Sequence, residues 1–79
     1  MFKTSIVFHS INEAKEFSVL ASQYPFNIDL ALGKYIVSAK SIMGIFSLEL
    51  SKHLELIAEC DQNHEFAKKV TPFLAAQKQ

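Results

Sequence analysis

The sequence of 79 residues contains no arginine, and its eight lysines are balanced by eight aspartate and glutamate residues. Proteins that bind DNA or RNA through phosphates usually carry net positive charge and often read bases with arginine. The composition therefore argues against nucleic acid as a direct partner. Arginine is also the best bidentate clamp for a phosphate group, so any phosphate chemistry must use lysine and backbone N–H groups.

Cysteine, glycine and proline are scarce as well. Cys60 is the only cysteine, so it cannot form an internal disulfide or make a metal site alone. It continues the alternation of Leu54, Leu56 and Ala58, which predicts a buried thiol. Two glycines and two prolines, with 49% hydrophobic and 20% charged residues, are typical of one ordinary globular domain, predicted over residues 1–79.

Long apolar segments are absent too. No apolar run approaches ~18 residues, so the sequence predicts no membrane-spanning helix. The N-terminus has one lysine, a short apolar stretch and no small-residue cleavage site, which argues against a signal peptide. We therefore expect a cytoplasmic location.

Four segments alternate between apolar and polar residues with period two. This pattern predicts the strands of an antiparallel sheet that is covered on one side. Gly33 and Lys34 separate the second segment from the third and are typical of a tight hairpin turn. The four segments span residues 2–8, 26–32, 35–39 and 54–60.

The first helix is predicted from the residues at its ends. Ser10 stands three residues before Glu13 and matches the capping box, in which hydroxyl and carboxylate satisfy each other's orphan N–H groups. The helix should end near Tyr24, because Pro25 disfavours the α conformation in the residue before it. Its apolar stripe consists of Ala14, Phe17, Leu20 and Ala21.

Two shorter helices follow along the chain. Ser41 can cap the second, whose inward side is predicted to carry Ile45 and Phe46. Pro72 should kink or restart the last helix near Thr71, because it removes a backbone donor. The order β-α-β-β-α-β-α, with helices on one face of an antiparallel sheet, is an open-faced sandwich of the α+β class. The last helix carries Phe66, Ala67, Val70, Phe73 and Leu74.

Residues 38–48 resemble the regulatory-serine motif of the bacterial histidine-containing phosphocarrier protein (HPr) family. They read Ser-Ala-Lys-Ser-Ile-Met-Gly-Ile-Phe-Ser-Leu, where the family has Ala-Lys-Ser-Ile-Met-Gly, an apolar pair and Ser-Leu. Residues 21–24, Ala-Ser-Gln-Tyr, are similar to the end of the family's first helix. The resemblance covers essentially the whole chain. It implies an HPr-like fold with a four-stranded antiparallel sheet and three helices on one face.

The same register places an altered segment, residues 8–14, at the family's active site, Gly-x-His-Ala-Arg-Pro-Ala. Ser10 falls at the phospho-histidine position, Asn12 at the arginine and Glu13 at the proline. A phosphocarrier needs an imidazole, because a phosphoramidate transfers reversibly near neutral pH and an alkyl phosphate ester is far less reactive. Glu13 also competes with a phosphate for the N–H groups of the first turn. We therefore interpret Ser10 as a helix cap.

His9 offers an alternative phosphoryl acceptor, one position before Ser10. Under that shift the arginine position would be filled by Ile11, which does not support the alternative. The simpler interpretation is an exposed loop histidine at the end of the first strand. If His9 did carry a phosphoryl group, the protein would be a phosphocarrier of the phosphoenolpyruvate-dependent sugar phosphotransferase system, with enzyme I as its partner.

Ser41 is the predicted regulatory site. Backbone N–H groups and the helix dipole at its position favour an anion, and a phosphate there adds about −1.5 to −2 charges with new hydrogen bonds. In the HPr family this serine is phosphorylated by an ATP-dependent HPr kinase/phosphorylase, and the surface around it also binds a transcriptional regulator. The resemblance implies the same partners here, with Lys40, Ile42 and Met43 as contact residues. An unmodified helix cap is the alternative interpretation.

No other constellation of residues points to chemistry. His53 and His64 have no histidine, cysteine or carboxylate partners at a ligand spacing, so we predict no metal site. Neither a nucleophile with a base nor a glycine-rich phosphate loop is present, and we expect no cofactor and no enzymatic activity. The sequence therefore predicts a non-catalytic HPr-like regulatory protein in carbon catabolite control. The phosphocarrier and an unmodified interaction module are its alternatives.

Overall fold

A computed structural model describes residues 1–75, and its elements follow the predicted order. The strands in this part of the chain are β1 (Phe2–Ile6), β2 (Ile28–Leu32), β3 (Tyr35–Ser38) and β4 (Leu54–Ala58). The helices are α1 (Ile11–Ser22), α2 (Ile42–Phe46) and α3 (Glu65–Lys69), with a 3-10 helix at Thr71–Phe73. The predicted α+β class is confirmed.

The four strands form one antiparallel sheet in the order β1-β4-β2-β3. The register aligns Thr4, Leu56, Leu30 and Val37 in one row across the sheet. Side chains of such a row point to one face, and this face is covered by the helices. The next row, with Ser5, Glu55, Ala31 and Ile36, lies on the opposite, uncovered face. The predicted one-sided sheet is therefore confirmed.

The turn between β2 and β3 is the predicted hairpin. Leu32 pairs with Tyr35, which leaves Gly33 and Lys34 as a two-residue loop. Gly33 has a φ of 61°, whereas Lys34 does not adopt a positive φ. A glycine in the left-handed region at the first loop position is the signature of a type II′ turn, whose twist matches that of the flanking strands.

The core lies between the sheet and the helices, and Phe17 of α1 is at its centre. Its ring lies 5.5 Å from that of Phe8, 5.2 Å from that of Phe73 and 6.3 Å from that of Phe66, measured between centroids. Tilted and edge-on pairs at these distances add to the free energy gained from burial alone. The aromatic residues thus join α1, the end of β1 and the C-terminal helices.

The C-terminal segment also pairs with the outer edge of β1, which the sequence pattern did not predict. The N–H of Val7 donates to the carbonyl of Phe73 and the N–H of Ala75 donates to that of Ser5, both at 3.0 Å. Leu74 forms a bridge with Ile6. This segment protects part of an edge that would otherwise expose unpaired backbone groups.

The structure corrects two predictions of burial. Phe46 is 39% exposed, whereas Ile45 is fully buried. Because Phe46 is the last residue of a helix of only five residues, no further turn packs it against the core. Cys60 is half-buried rather than buried, since β4 ends at Ala58 and the alternation of the strand does not continue to it.

The predicted helix ends are confirmed. The last α-helical residue of α1 is Ser22, and Gln23 caps it two residues before Pro25. α3 ends at Lys69, and the 3-10 helix that contains Pro72 begins at Thr71. No helix within residues 1–75 is long and apolar enough to cross a membrane.

Candidate functional site

Ser10 caps the N-terminus of α1 from an extended conformation, with φ −159° and ψ 163°. Its hydroxyl accepts the N–H of Glu13 at 3.1 Å, as predicted. The predicted return contact is wrong, because the Glu13 carboxylate accepts the N–H of His9 at 2.8 Å rather than that of Ser10. The carboxylate reaches one residue further back, where it also meets the imidazole of His9. The first turn of α1 therefore already holds an anion.

His9 lies beside this carboxylate and is largely exposed. Its Nδ1 is 3.5 Å from Oε1 of Glu13, and 73% of its side chain is accessible. A phosphoryl group on this imidazole would meet the negative charge of Glu13 at close range. The geometry therefore brings Ser10, His9 and Glu13 together as a helix cap with a carboxylate beside the imidazole, a poor arrangement for holding a phosphate.

Ser41 caps α2 in the same way, again from an extended conformation. Its hydroxyl accepts the N–H of Gly44 at 3.1 Å, and its carbonyl accepts the N–H of Ile45 at 3.0 Å. Ser41 is exposed, and the first turn of α2 contains no acidic residue. The predicted cap is confirmed. No carboxylate from the first turn of α2 lies at this helix end.

Gly44 allows the first turn of α2 to approach β3 closely. A Cβ on Gly44 would lie 3.3 Å from Oγ of Ser41 and 3.3 Å from Cβ of Val37. Both distances are shorter than ordinary van der Waals separations between such atoms. The glycine of the motif thus leaves room for the serine hydroxyl that caps the helix.

The three predicted contact residues around Ser41 do not face the same way. Met43 is 75% exposed. Ile42 is half-buried and lines a shallow depression that also borders Val19 of α1. Lys40 is half-buried, and its ammonium donates to the carbonyl of Tyr24 at 2.6 Å. The surface beside Ser41 is therefore apolar, whereas the lysine is directed at α1.

The apolar part of this surface that lies on α1 was not predicted from the sequence. Ile11 and Val19 are 61% and 63% exposed. They lie on the same side of the helix as Lys15, at successive intervals of four residues. This spacing, away from the buried stripe, is the signal that could have identified them. Val19 and Ile42 line the same depression, so apolar side chains of α1 and α2 meet at the surface there.

A second polar cluster joins the end of α1 to α3. The hydroxyl of Tyr24 donates to Oε2 of Glu65 at 2.9 Å, and Nδ1 of His64 accepts the N–H of Phe66 at 3.0 Å. Partial burial, the hydrogen bond to Glu65 and the negative charges of Glu65 and Cys60 raise the pKa of Tyr24 above its usual 10.0. Burial likewise raises the pKa of the Cys60 thiol.

The histidines do not assemble a metal centre. His64 acts as the N-cap of α3, and His53 lies in the turn before β4. Within residues 1–75 no group of three or more histidine, cysteine, aspartate or glutamate side chains could hold a metal ion.

The sequence also matches a model of a known protein family. Residues 10–76 match the family model described as the PTS HPr component phosphorylation site. The chain belongs to the HPr family. Proteins of this family are phosphocarriers rather than catalysts, so the chain is not an enzyme.

Several solved structures, including the following three, are similar to this one. HPr-C-His from Thermoanaerobacter tengcongensis is 30% identical with a TM-score of 0.75, and the match covers 91% of this chain and 89% of that chain. The phosphocarrier protein HPr from Bacillus anthracis str. Ames is 19% identical, with a TM-score of 0.70 and 94% of each chain covered. The histidine-containing phosphocarrier protein of Mycoplasma is 15% identical, with a TM-score of 0.72 and coverages of 90% and 89%. The last two support the fold alone. A comparison with curated proteins returned no match.

Proposed function

We propose that this HPr-family chain is a regulatory member that lacks the carrier histidine and is phosphorylated on Ser41 by a kinase of the HPr-kinase type. One observation carries the proposal. Ser41 is an exposed cap at a helix end with no acidic residue in its first turn, whereas Glu13 already supplies an anion at the N-terminus of α1. Ser10, the N-cap of α1, is thus the poorer acceptor of a phosphate.

A phosphate on Ser41 fits the local structure. The hydroxyl already accepts the N–H of Gly44, so phosphate oxygens attached to the same Oγ can reach the orphan N–H groups of this first turn. These groups and the helix dipole stabilise an added negative charge. Phosphorylation therefore requires no rearrangement of α2. It changes the charge of the surface that a partner protein would bind.

The partners proposed for this surface are an HPr kinase/phosphorylase and a transcriptional regulator of carbon catabolite control. Exposed Met43 and half-buried Ile42 lie directly after the phosphoacceptor, and Val19 continues the apolar surface onto α1. A partner that covers this surface would contact the phosphate and apolar side chains together. Such a combination lets one phosphate strengthen or block an otherwise weak apolar contact.

The test is a pair of phosphorylation reactions. The protein is incubated with ATP and HPr kinase, and separately with phosphoenolpyruvate and enzyme I, and the products are analysed by mass spectrometry before and after acid treatment. We expect one acid-stable phosphate from the kinase reaction, lost in Ser41→Ala and retained in the matched cap variant Ser10→Ala.

Two results would contradict the proposal. An acid-labile phosphate from the enzyme I reaction, lost in His9→Ala, would show a phosphocarrier that uses His9. Absence of phosphate from both reactions, with control HPr modified in each, would leave an unmodified interaction module.

A further inference from the structure

The side chain of Lys40 links the turn before α2 to the end of α1. Its Nζ donates to the carbonyl oxygen of Tyr24 at 2.6 Å, across a sequence separation of 16 residues. Hydrogen bonds from a charged donor are stronger than neutral ones, and partial burial of Lys40 limits competition from water. The ammonium group of Lys40, next to Ser41, is therefore already hydrogen-bonded within the protein.

The C-terminal end of α1 provides a reason for this contact. The helix dipole favours a cation near this end, and Tyr24, whose carbonyl accepts from Lys40, lies two residues after the last α-helical residue, Ser22. The last turn of α1 contains no basic residue. Lys40 brings the missing positive charge to this end from a different segment of the chain.

The other hydrogen bonds of this turn in the described part of the chain join it to β2, β3 and α2. The N–H of Ala39 donates to the carbonyl of Ile28 at 2.8 Å. The N–H of Lys40 donates to Oγ of Ser38 at 3.2 Å, and the N–H of Ser41 donates to the carbonyl of Ser38 at 3.1 Å. Within residues 1–75, the Lys40 side chain makes the only hydrogen bond from this turn to the segment that ends α1.

We infer that Lys40 is a positioning residue, which anchors the turn carrying Ser41 to the C-terminal end of α1 and does not itself contact a partner protein. This replaces the contact role predicted for Lys40 from the sequence. The anchor holds the backbone of Ser41 in the extended conformation from which its hydroxyl caps α2. Its consequence for phosphorylation rests on the proposed function of Ser41, whereas the anchoring itself does not.

The anchor is tested first without any kinase. In the unmodified protein, NMR should detect a scalar coupling between Nζ of Lys40 and the carbonyl carbon of Tyr24. Lys40→Met removes the ammonium and keeps the length of the side chain, and Lys40→Arg keeps the charge. Lys34→Met is the matched control, because Lys34 is exposed in the hairpin turn and its loss changes the net charge equally.

The readout is hydrogen exchange of the Gly44 amide, whose N–H donates to the Ser41 hydroxyl. We expect exchange about tenfold faster in Lys40→Met, because the lost hydrogen bond involves a charged donor. Lys40→Arg should restore the slow rate and Lys34→Met should leave it unchanged. No coupling in the unmodified protein, or equal rates in Lys40→Met and Lys34→Met, would overturn the inference.

A second measurement separates anchoring from direct contact. With HPr kinase and ATP, kcat/KM for Ser41 should fall in Lys40→Met and recover in Lys40→Arg, in parallel with the exchange rates. A fall in kcat/KM with unchanged Gly44 exchange would show that Lys40 contacts the kinase, and would overturn the inference. If the kinase modifies no form of the protein, the proposed function fails, and the NMR measurements still decide the role of Lys40.

Discussion

The carboxylate of Glu13 accepts the backbone N–H of His9 at 2.8 Å, so the N-terminus of α1 contains its own anion. α2 has no acidic residue in its first turn, and its N-cap is the exposed Ser41. The two helix ends are therefore chemically different, although a serine caps each of them. The difference explains why an added phosphate is expected at α2 rather than at α1.

Replacing Ser10 by alanine should destabilise the protein without affecting modification of Ser41. The change leaves the N–H of Glu13 without its acceptor, and loss of such a cap costs about 1 kcal/mol of unfolding free energy. Urea unfolding measures the difference. Ser51→Ala is a suitable control, because this exposed serine has no side-chain hydrogen bond in the described part of the chain. Equal stability of the two variants would mean that the cap contributes nothing.

A triple change at the start of α1 should give the protein carrier competence. Ser10→His, Asn12→Arg and Glu13→Pro restore the imidazole and the guanidinium and remove the competing carboxylate. Proline is tolerated in the first helical turn, where the N–H of residue 13 has no intrahelical partner. We expect an acid-labile phosphate with phosphoenolpyruvate and enzyme I.

The double variant Asn12→Arg with Glu13→Pro is the control for this gain. It lacks the added imidazole and should remain unmodified. If the folded triple variant is equally inert, the register that places Ser10 at the phospho-histidine position is wrong.

Local patterns in the sequence predicted most of the fold, because strands, caps and the hairpin depend on residues close together in the chain. The alternation around Leu30 and Leu56 and the serine caps at residues 10 and 41 are of this kind. The bond from Lys40 to Tyr24 and the bond from Tyr24 to Glu65 are not, since they join residues 16 and 41 positions apart. Only the packing of α1 against the turn before α2 and against α3 brings those groups together.

Failures of the burial predictions have a similar origin. Periodicity assigns a face to each residue of an element but does not give the length of the element. The short α2 leaves Phe46 partly exposed, and the end of β4 at Ala58 leaves Cys60 half-buried. The roles proposed for Ser41 and Met43 depend in addition on a partner, whose chemistry the chain itself does not contain.

Gly33→Ala should destabilise the β2–β3 hairpin. Gly33 has a φ of 61°, a conformation that costs an L-residue about 1–2 kcal/mol. Nothing lies within 4 Å of the position that the added methyl group would occupy, so the loss would come from backbone strain and not from a clash. Thermal and urea unfolding would measure it. Lys34→Ala, at the neighbouring turn position without a positive φ, should have little effect, and equal losses would contradict a strain specific to Gly33.

The raised pKa of Tyr24 predicts a loss of stability at alkaline pH. The folded protein holds the phenolic proton more tightly than the unfolded chain, because partial burial of the Tyr24 side chain disfavours the phenolate and its hydroxyl donates to Glu65 at 2.9 Å. Its contribution is fully present below the usual pKa of 10.0 and is lost as the pH rises through the higher pKa of the folded state. Above that pH the phenolate would face the carboxylate of Glu65 and repel it.

The measurement compares unfolding free energies of the unmodified protein and Tyr24→Phe on both sides of pH 10.0. The lysines titrate in the same range, so the difference between the two proteins is the relevant quantity. That difference should shrink as the pH rises, whereas Tyr35→Phe, at a tyrosine that is 73% exposed, should follow the unmodified protein. Glu65→Gln should lower the pKa of Tyr24, observed by tyrosinate absorbance, because it removes the adjacent negative charge and keeps an acceptor. An unchanged pKa in Glu65→Gln would show that the negative charge of Glu65 does not raise the pKa of Tyr24.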